Sequence, residues 1–463
     1  MKRLLALLLV SVPAFAAGPA TTNNDDSCDI SLLPAATLLL PYFEVDLNSP
    51  QTTAQTTIFT IQNTTAMPQI ARVTLWTDWS YPMLTFNIFL TGYDVQGINL
   101  WDVFRRGTVA PTGNTTPPGS LSFGNNQNPH FLPDAISTCG SNAGPLGAGL
   151  LADLQAAFTT GKLSLPGCAT APVGSSHALA TGYATIDVVA NCDTISPLAP
   201  GYFASEILFD NVLTGDVQHI NPNQAIGNYA GGNPLVHIRA IPEGGGAGVF
   251  VPTALPYTFY DLYTVGLAPR TYDRRQPLPS AFMPRYIDGG TNAFNTKLQI
   301  WREAFAAPAA CPAAYARNSA VPAAEAVRFD EHENAAYCVV YGCIAISVPC
   351  DCVLRLPSTS STSAASQYFG DTFSLPYISG DVGGWLFLNL NNGGSSAYSA
   401  ASGYRFGTTT SGARQSQAWV VTTMFAEGRY SVEMDALAVG NGCSPAPELS
   451  TRVPIGPAAN PNP

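Results

Sequence analysis

The chain has 463 residues, of which 46% are hydrophobic and 11% charged, with 31 acidic against 20 basic residues and a formal charge of −11. So much apolar material excludes an acidic disordered chain, and an acid excess with no basic cluster excludes electrostatic binding of nucleic acid. Gly, Pro, Ser, Thr and Asn fill the gaps, a mix suited to short strands and many turns. The length exceeds what one core usually serves, so two domains are expected.

The first sixteen residues read as a secretory signal: Lys2 and Arg3, an apolar run from Leu4 to Val12, then the small-x-small site Ala14-Phe15-Ala16. The apolar run is about half of the roughly 20 residues that span a bilayer, which favours cleavage after Ala16 over a membrane anchor. No later stretch is apolar enough to cross, so the expectation is a secreted chain, extracellular or periplasmic, without a transmembrane segment. Residues 17–27 are small and polar and read as a flexible leader.

Strand signals then follow in order. Tyr42 to Val45 reads as a strand, and Phe59 and Ile61 alternate within Thr57 to Gln62. Ala71, Val73 and Leu75 face one way, and Arg72, Thr74 and Trp76 the other; Phe86, Ile88 and Leu90 repeat the pattern. Period-two alternation over short runs marks half-buried antiparallel strands, so residues 40–104 read as a β-meander or part of a sandwich. A Gly/Asn/Pro-rich insertion near 107–180 contains one short helix, set by Leu150, Leu151, Leu154 and Phe158 and ended by Gly161. Strands resume at Ala184 to Val188, Ile207 to Phe209 and Val236 to Ala240. Gly244-Gly245-Gly246 lacks the Lys-Ser/Thr and the following helix of a phosphate-binding loop.

A second set of strands is expected at Arg285 to Ile287, Leu298 to Trp301, Val327 to Phe329, Val353 to Leu356, Trp385 to Leu390, Trp419 to Phe425 and Tyr430 to Leu437. It resembles the first in outline, with residues 40–63 matching 284–301 and Val73 to Asp78 matching Val327 to Glu331. The expected fold is mainly β: two antiparallel β-sandwich modules, 28–268 and 269–445, with one short helix in an insertion, then a disordered tail at 446–463.

The chemistry-bearing patterns are sparse. The chain has no Gly-x-Ser-x-Gly elbow and no His-Glu-x-x-His. Asp330-Glu331-His332-Glu333 puts Asp330 and His332 on one side of a strand, where they could share a metal, but an acidic turn is the stronger reading. The five histidines have no repeating spacing, and His237, between Val236 and Ile238, is expected to face solvent beside Arg239. No catalytic, cofactor-binding or metal residue is assigned, and no cofactor is expected.

Ten cysteines, Cys28, Cys139, Cys168, Cys192, Cys311, Cys338, Cys343, Cys350, Cys352 and Cys443, are an even number in an exported chain. Disulfides are therefore favoured over a zinc knot, with connectivity open. Trp76, Trp79 and Trp101, with Tyr81 and Tyr93, crowd the first module and are a possible ligand platform for a sugar ring, against the alternative that most are core. Asn63-Thr64-Thr65 and Asn114-Thr115-Thr116 read as turns rather than glycosylation acceptors.

The sequence also resembles a family of exported bacterial proteins with repeated immunoglobulin-like or fibronectin-like β-sandwich modules. The residues that carry this are Leu40 to Asp46, Thr56 to Asn63, Thr91 to Gln96, Pro234 to Ile238, Pro277 to Ser280 and Ala426 to Val432. The resemblance implies a fold and no catalytic residues. The expected function is a non-catalytic exported structural or binding protein of the cell surface, periplasm or matrix, with a surface glycan or protein partner. The alternative is an exported carbohydrate-active or ester hydrolase using carboxylates that converge in space. A third reading is a calcium-stabilised adhesin using loops such as Asn23 to Asp26.

Overall fold

The computed structural model describes residues 30–109, 145–165, 168–191, 202, 206–222, 229–240, 275–291, 293–303, 321–336, 355–364, 368–369, 373–374, 382–392, 407–408, 414–415, 417–426 and 429–439. In the first half the strands are β1 (Thr37–Val45), β2 (Thr56–Asn63), β3 (Gln69–Thr77), β4 (Pro82–Leu90), β5 (Val95–Asn99), β6 (Lys162–Leu165), β7 (Cys168–Pro172), β8 (Ala180–Val188), β9 (Leu213–Thr214), β10 (Asp216–Asn221), β11 (Tyr229–Pro234) and β12 (Val236–Ile238). Two helices, α1 (Leu100–Arg106) and α2 (Ala148–Thr159), lie between β5 and β6. In the second half they are β13 (Ala281–Met283), β14 (Arg285–Ile287), β15 (Phe294–Arg302), β16 (Val321–Asp330), β17 (Ala335–Ala336), β18 (Arg355–Leu356), β19 (Thr359–Ser363), β20 (Tyr368–Phe369) and β21 (Phe373–Ser374). They continue with β22 (Gly383–Asn392), β23 (Gly407–Thr408), β24 (Arg414–Gln415), β25 (Ala418–Ala426), β26 (Tyr430–Asp435) and β27 (Leu437–Ala438).

The protein is mainly β, with antiparallel sheets, as expected. The first half builds a five-stranded sheet, β12-β1-β8-β3-β4, and a second sheet, β11-β10-β2-β5, on which β9 also pairs. Leu38, Leu40, Val73, Leu75 and Ile186 of one meet Phe59, Ile61, Ile98 and Val217 of the other in a shared core. The second half builds β17-β16-β22-β13-β27, with β14 and β18 joining it, and β19-β15-β25-β26. Here Leu386, Leu388 and Leu390 meet Leu298, Ile300 and Val420.

The two halves have one topology. Read in chain order, β1, β2, β3, β4, β5, β8, β10, β11 and β12 take the same sheet positions as β13, β15, β16, β17, β19, β22, β25, β26 and β27. The likeness reaches single residues at the hairpins that follow β3 and β16. In each, the first residue's backbone N–H bonds the carbonyl four residues on (Thr77 to Tyr81, Asp330 to Asn334), and the fourth residue (Ser80, Glu333) has positive φ. Beside each hairpin a glycine lies against the opposite strand. A Cβ on Gly182 would come within 2.3 Å of the Trp76 carbonyl oxygen, and one on Gly384 within 2.0 Å of that of Phe329. No side chain fits there.

The insertion helix α2 forms as expected, burying Leu154, Ala157 and Phe158, and Gly161 after it has φ 64°. Helix α1 was not expected. Its signals are Asn99, whose side chain accepts from the Trp101 N–H, apolar Leu100, Trp101, Val103 and Phe104, and left-handed Gly107 closing it. Phe104 and Phe158 pack on Phe43 at ring separations of 5.8 and 5.6 Å, which docks both helices on β1. Of the strand expected at Ile207 to Phe209, one bridge forms, Val189 to Ile207.

No described helix is long and apolar enough to cross a membrane. The signal segment, the leader, Gly244 to Gly246, Asn114 and the tail lie outside the described residues, as do all the cysteines except Cys168, described only as the backbone that opens β7.

Candidate functional site at the junction of the two sandwiches

Both faces of β3 and β8 are buried, although their sequences alternate. One face makes the core of the first sandwich. The other carries Arg72, Thr74 and Trp76 on β3 opposite Asp187, Thr185 and Tyr183 on β8. That second face is covered in part by the second half of the chain. Trp76 stacks on Tyr183 at 5.7 Å with the rings 1° from parallel, and Trp301 of β15 meets Tyr183 edge-on at 5.9 Å. The Trp76 indole N–H donates to Thr185 Oγ1 at 2.9 Å, so its polar atom is satisfied inside the contact.

The hairpin after β3 completes the contact. Tyr183 Oη donates to Ser80 Oγ at 2.8 Å, Ser80 Oγ donates to Ser358 Oγ at 2.6 Å, and the Ser358 N–H donates to the Asp78 carbonyl at 2.7 Å. Thr359 Oγ1, next in the chain, donates to the Pro41 carbonyl at 2.6 Å.

Charged groups are buried on the same face. Asp187 accepts from Thr37 Oγ1 and from Tyr202 Oη, both at 2.5 Å, and lies 3.8 Å from Arg275 Nη2. Arg275 also donates to Thr37 Oγ1, and to the Leu208 carbonyl at 3.2 Å. Burial and then the Asp187 charge push the Tyr202 hydroxyl well above its usual range, so it stays protonated and acts as a donor. Arg72 donates to Asn87 Oδ1 at 3.0 Å and to the Asn191 carbonyl at 2.8 Å, and lies 3.6 Å from Glu206. Arg72, Asp187, Tyr202 and Arg275 are completely buried. An Arg, an Asp and a Tyr in mutual contact resemble a catalytic set. Here each donor is turned to an acceptor within the fold and the group is closed to solvent, an arrangement that fixes backbone positions.

Two further links tie the halves together. His219 of β10 lies 3.0 Å from Glu433 of β26 through Nδ1, and its Nε2 lies 3.1 Å from the Tyr42 carbonyl oxygen. Burial would lower the His219 pKa, but the Glu433 charge and hydrogen bond, with Glu44 and the Tyr42 carbonyl, outweigh it and hold the ring above its usual value. Asn233 Nδ2 donates to Asp435 Oδ1 at 2.8 Å, which also accepts from the Trp419 indole at 2.9 Å.

The residues singled out from the sequence scatter around this junction. Trp76 is 0% exposed and Trp101 is 8% exposed under the Arg106 guanidinium, while Trp79 is half-buried with its indole N–H bonded to Ser175. Of the two readings, platform or core, the burial of Trp76 and Trp101 fits the core, with the second half lying over Trp76 and Arg106 over Trp101. His237, expected to face solvent, is buried, with its ring nitrogens 3.0 Å from the Leu33 carbonyl and 3.3 Å from that of Gly215. Its strand is an edge, and the chain folds back over it. Asn63 is also buried and donates its side-chain amide to the Met67 and Thr91 carbonyls.

Asp330 to Glu333 form the acidic turn. Asp330 Oδ1 accepts from the N–H groups of His332 and Asn334, each at 2.8 Å, and Oδ2 accepts from the Asn334 side chain at 2.7 Å. Among the described residues no three His, Cys, Asp or Glu side chains are grouped to hold a metal.

Sequence reasoning missed the junction's charged members. Arg72 and Asp187 were visible as polar residues in apolar strands, but their pairing depends on a register set by the fold. Comparison of the chain with known proteins finds no matching family model, curated relative or solved structure.

Proposed function

We propose that this chain is a non-catalytic exported structural or binding component of the cell surface, periplasm or extracellular matrix. One observation carries the reading. The buried ionisable and aromatic side chains that could have served chemistry (Arg72, Asp187, Arg275, Tyr202, His219 and Glu433) are engaged in holding strands and modules together. A scaffold needs fixed geometry between its parts more than it needs a reactive cleft. The resemblance to exported proteins with repeated immunoglobulin-like or fibronectin-like sandwiches, the signal segment and the cysteine framework belong to the same reading. A surface glycan or protein is the natural partner class.

The test is fractionation of expressing cells, with N-terminal sequencing and thiol counting on the exported protein, then incubation with polysaccharide and ester substrates. The expected result is exported protein beginning at Ala17, with its thiols oxidised and no turnover. Retention of an intact Met1 in the cytoplasm, or turnover of any substrate, overturns the proposal.

A further inference from the structure

The shared topology pairs the two main sheets of one sandwich with those of the other, and it shows which half of the internal contact is left over. In the contact that forms, the second sandwich presents a corner, the end of β15 and the start of β19, where Trp301 is the register partner of Thr359. The first sandwich receives it with a stacked aromatic pair, Trp76 and Tyr183, and the hairpin after β3. The corresponding corner of the first sandwich is the end of β2 and the start of β5, where Gln62 is the partner of Val95. It is open: Val95 is 46% exposed, and beside it Tyr93 is 68% and Met67 59% exposed. Side-chain and backbone bonds gather these turns. Asn63 donates to the Met67 and Thr91 carbonyls, and the Tyr93 N–H donates to the Thr65 carbonyl.

The corresponding receiving face of the second sandwich is open as well. Phe329 of β16 stacks on Trp385 of β22 at 5.1 Å with the rings 11° from parallel, as Trp76 does on Tyr183. Both rings are half-buried, Val382 just before β22 and three residues from Trp385 is 51% exposed, and the hairpin residues Glu331 to Asn334 are exposed.

We infer that a second copy of this chain docks head to tail, its Met67–Tyr93–Val95 corner on the Phe329–Trp385 face, repeating between molecules the contact that joins the halves within one. A contact between two different surfaces does not close on itself at a pair, so it extends to chains or rings. Carboxylates stand on both sides, Asp94 at the corner and Glu331 and Glu333 at the face, and Glu331 already engages Arg285 at 2.7 Å. Added salt therefore strengthens the association by screening, opposite to what an ion-paired interface does. The inference deepens the structural-component reading. Its failure is separable from that reading's, because association is measured on purified protein without regard to export or turnover.

The experiment is sedimentation velocity on the purified full-length exported protein across concentration at low and high salt, with Tyr93→Asp and Val382→Asp. Both sites are exposed, so the fold should persist, and unchanged thermal unfolding verifies this. The parent is expected to grow beyond a dimer, more so at high salt. Each variant alone should weaken association about tenfold or more. Their mixture should form a pair of one each, since each retains the surface the other lacks. A parent that stays monomeric, a variant that associates like the parent, or a mixture that does not pair overturns the inference. Loss with Val382→Asp alone would assign a two-fold contact through the face and overturn the head-to-tail arrangement too.

Discussion

Trp76 and Phe329 stand at corresponding places in the two sandwiches, each stacked on a cross-strand aromatic beside a glycine that touches its carbonyl. One is sealed and the other half-open. The local sequence grammar is shared, so the difference comes from what lies over each face. In the first sandwich the covering side chains belong to β15, β19 and the turn before β19, and polar partners such as Ser80 and Thr185 follow from that burial. In the second, the residue at the Ser80 position is Glu333, a charge suited to water.

The sharpest way to break the comparison is to truncate the two stacks. Trp76→Ala is expected to cost about 3–5 kcal/mol by urea denaturation, as for a fully buried tryptophan. Trp385→Ala should cost roughly 1–2 kcal/mol, in keeping with partial burial. Equal losses would show that the second face is covered as fully as the first. Next in size is Asp187→Ala, which leaves Arg275 buried without its counter-charge and takes an acceptor from Tyr202, and should cost about 3 kcal/mol. No similar loss is expected for Asn389→Ala, the corresponding position on β22, because it carries no charge.

The His219–Glu433 link is testable through pH. With the folded-state pKa raised, its contribution is fully present below the unfolded value of about 6.5 and is lost as pH rises through the higher folded value. The denaturation midpoint of the parent should therefore fall relative to His219→Gln from neutral to mildly alkaline pH. A parallel profile would remove His219 from the junction's energetics. The smallest effects lie in the turns and have opposite signs. Glu333→Gly relieves a positive φ of 64° at an exposed site and should stabilise by about 0.5–1 kcal/mol. Ser80→Gly gains the same relief but loses the bonds to Tyr183 and Ser358, and should destabilise by about 1 kcal/mol.

The strands of both sandwiches were legible because alternation at period two is a local property. Helix α1 was legible too, in Asn99 and Gly107, but was masked by the strand pattern on either side. Strands β10, β11, β13 and β19 were not. Thr359 to Ser363 has no apolar alternation, and its strand exists because β15 supplies a paired edge. The cover over the polar side of β3 was not legible, since nothing near Trp76 announces Trp301, which arrives some two hundred residues later. The match read in sequence set six residues, Val73 to Asp78, against five, Val327 to Glu331, and the structure aligns their ends, Thr77 with Asp330. A register bulge between Leu75 and Trp76 accompanies that difference in length.

The bond between Arg275 and Thr37 joins residues 238 apart. Synthesis delivers the N-terminal end first, so for a time the strands of the first sandwich exist without Arg275, Trp301 or Ser358. During that interval Trp76 and Tyr183 lie bare, and Asp187 lacks its cation. The chain thus passes through its most adhesive condition before its synthesis is complete. Its folded yield should depend on a holding chaperone until the last strands arrive.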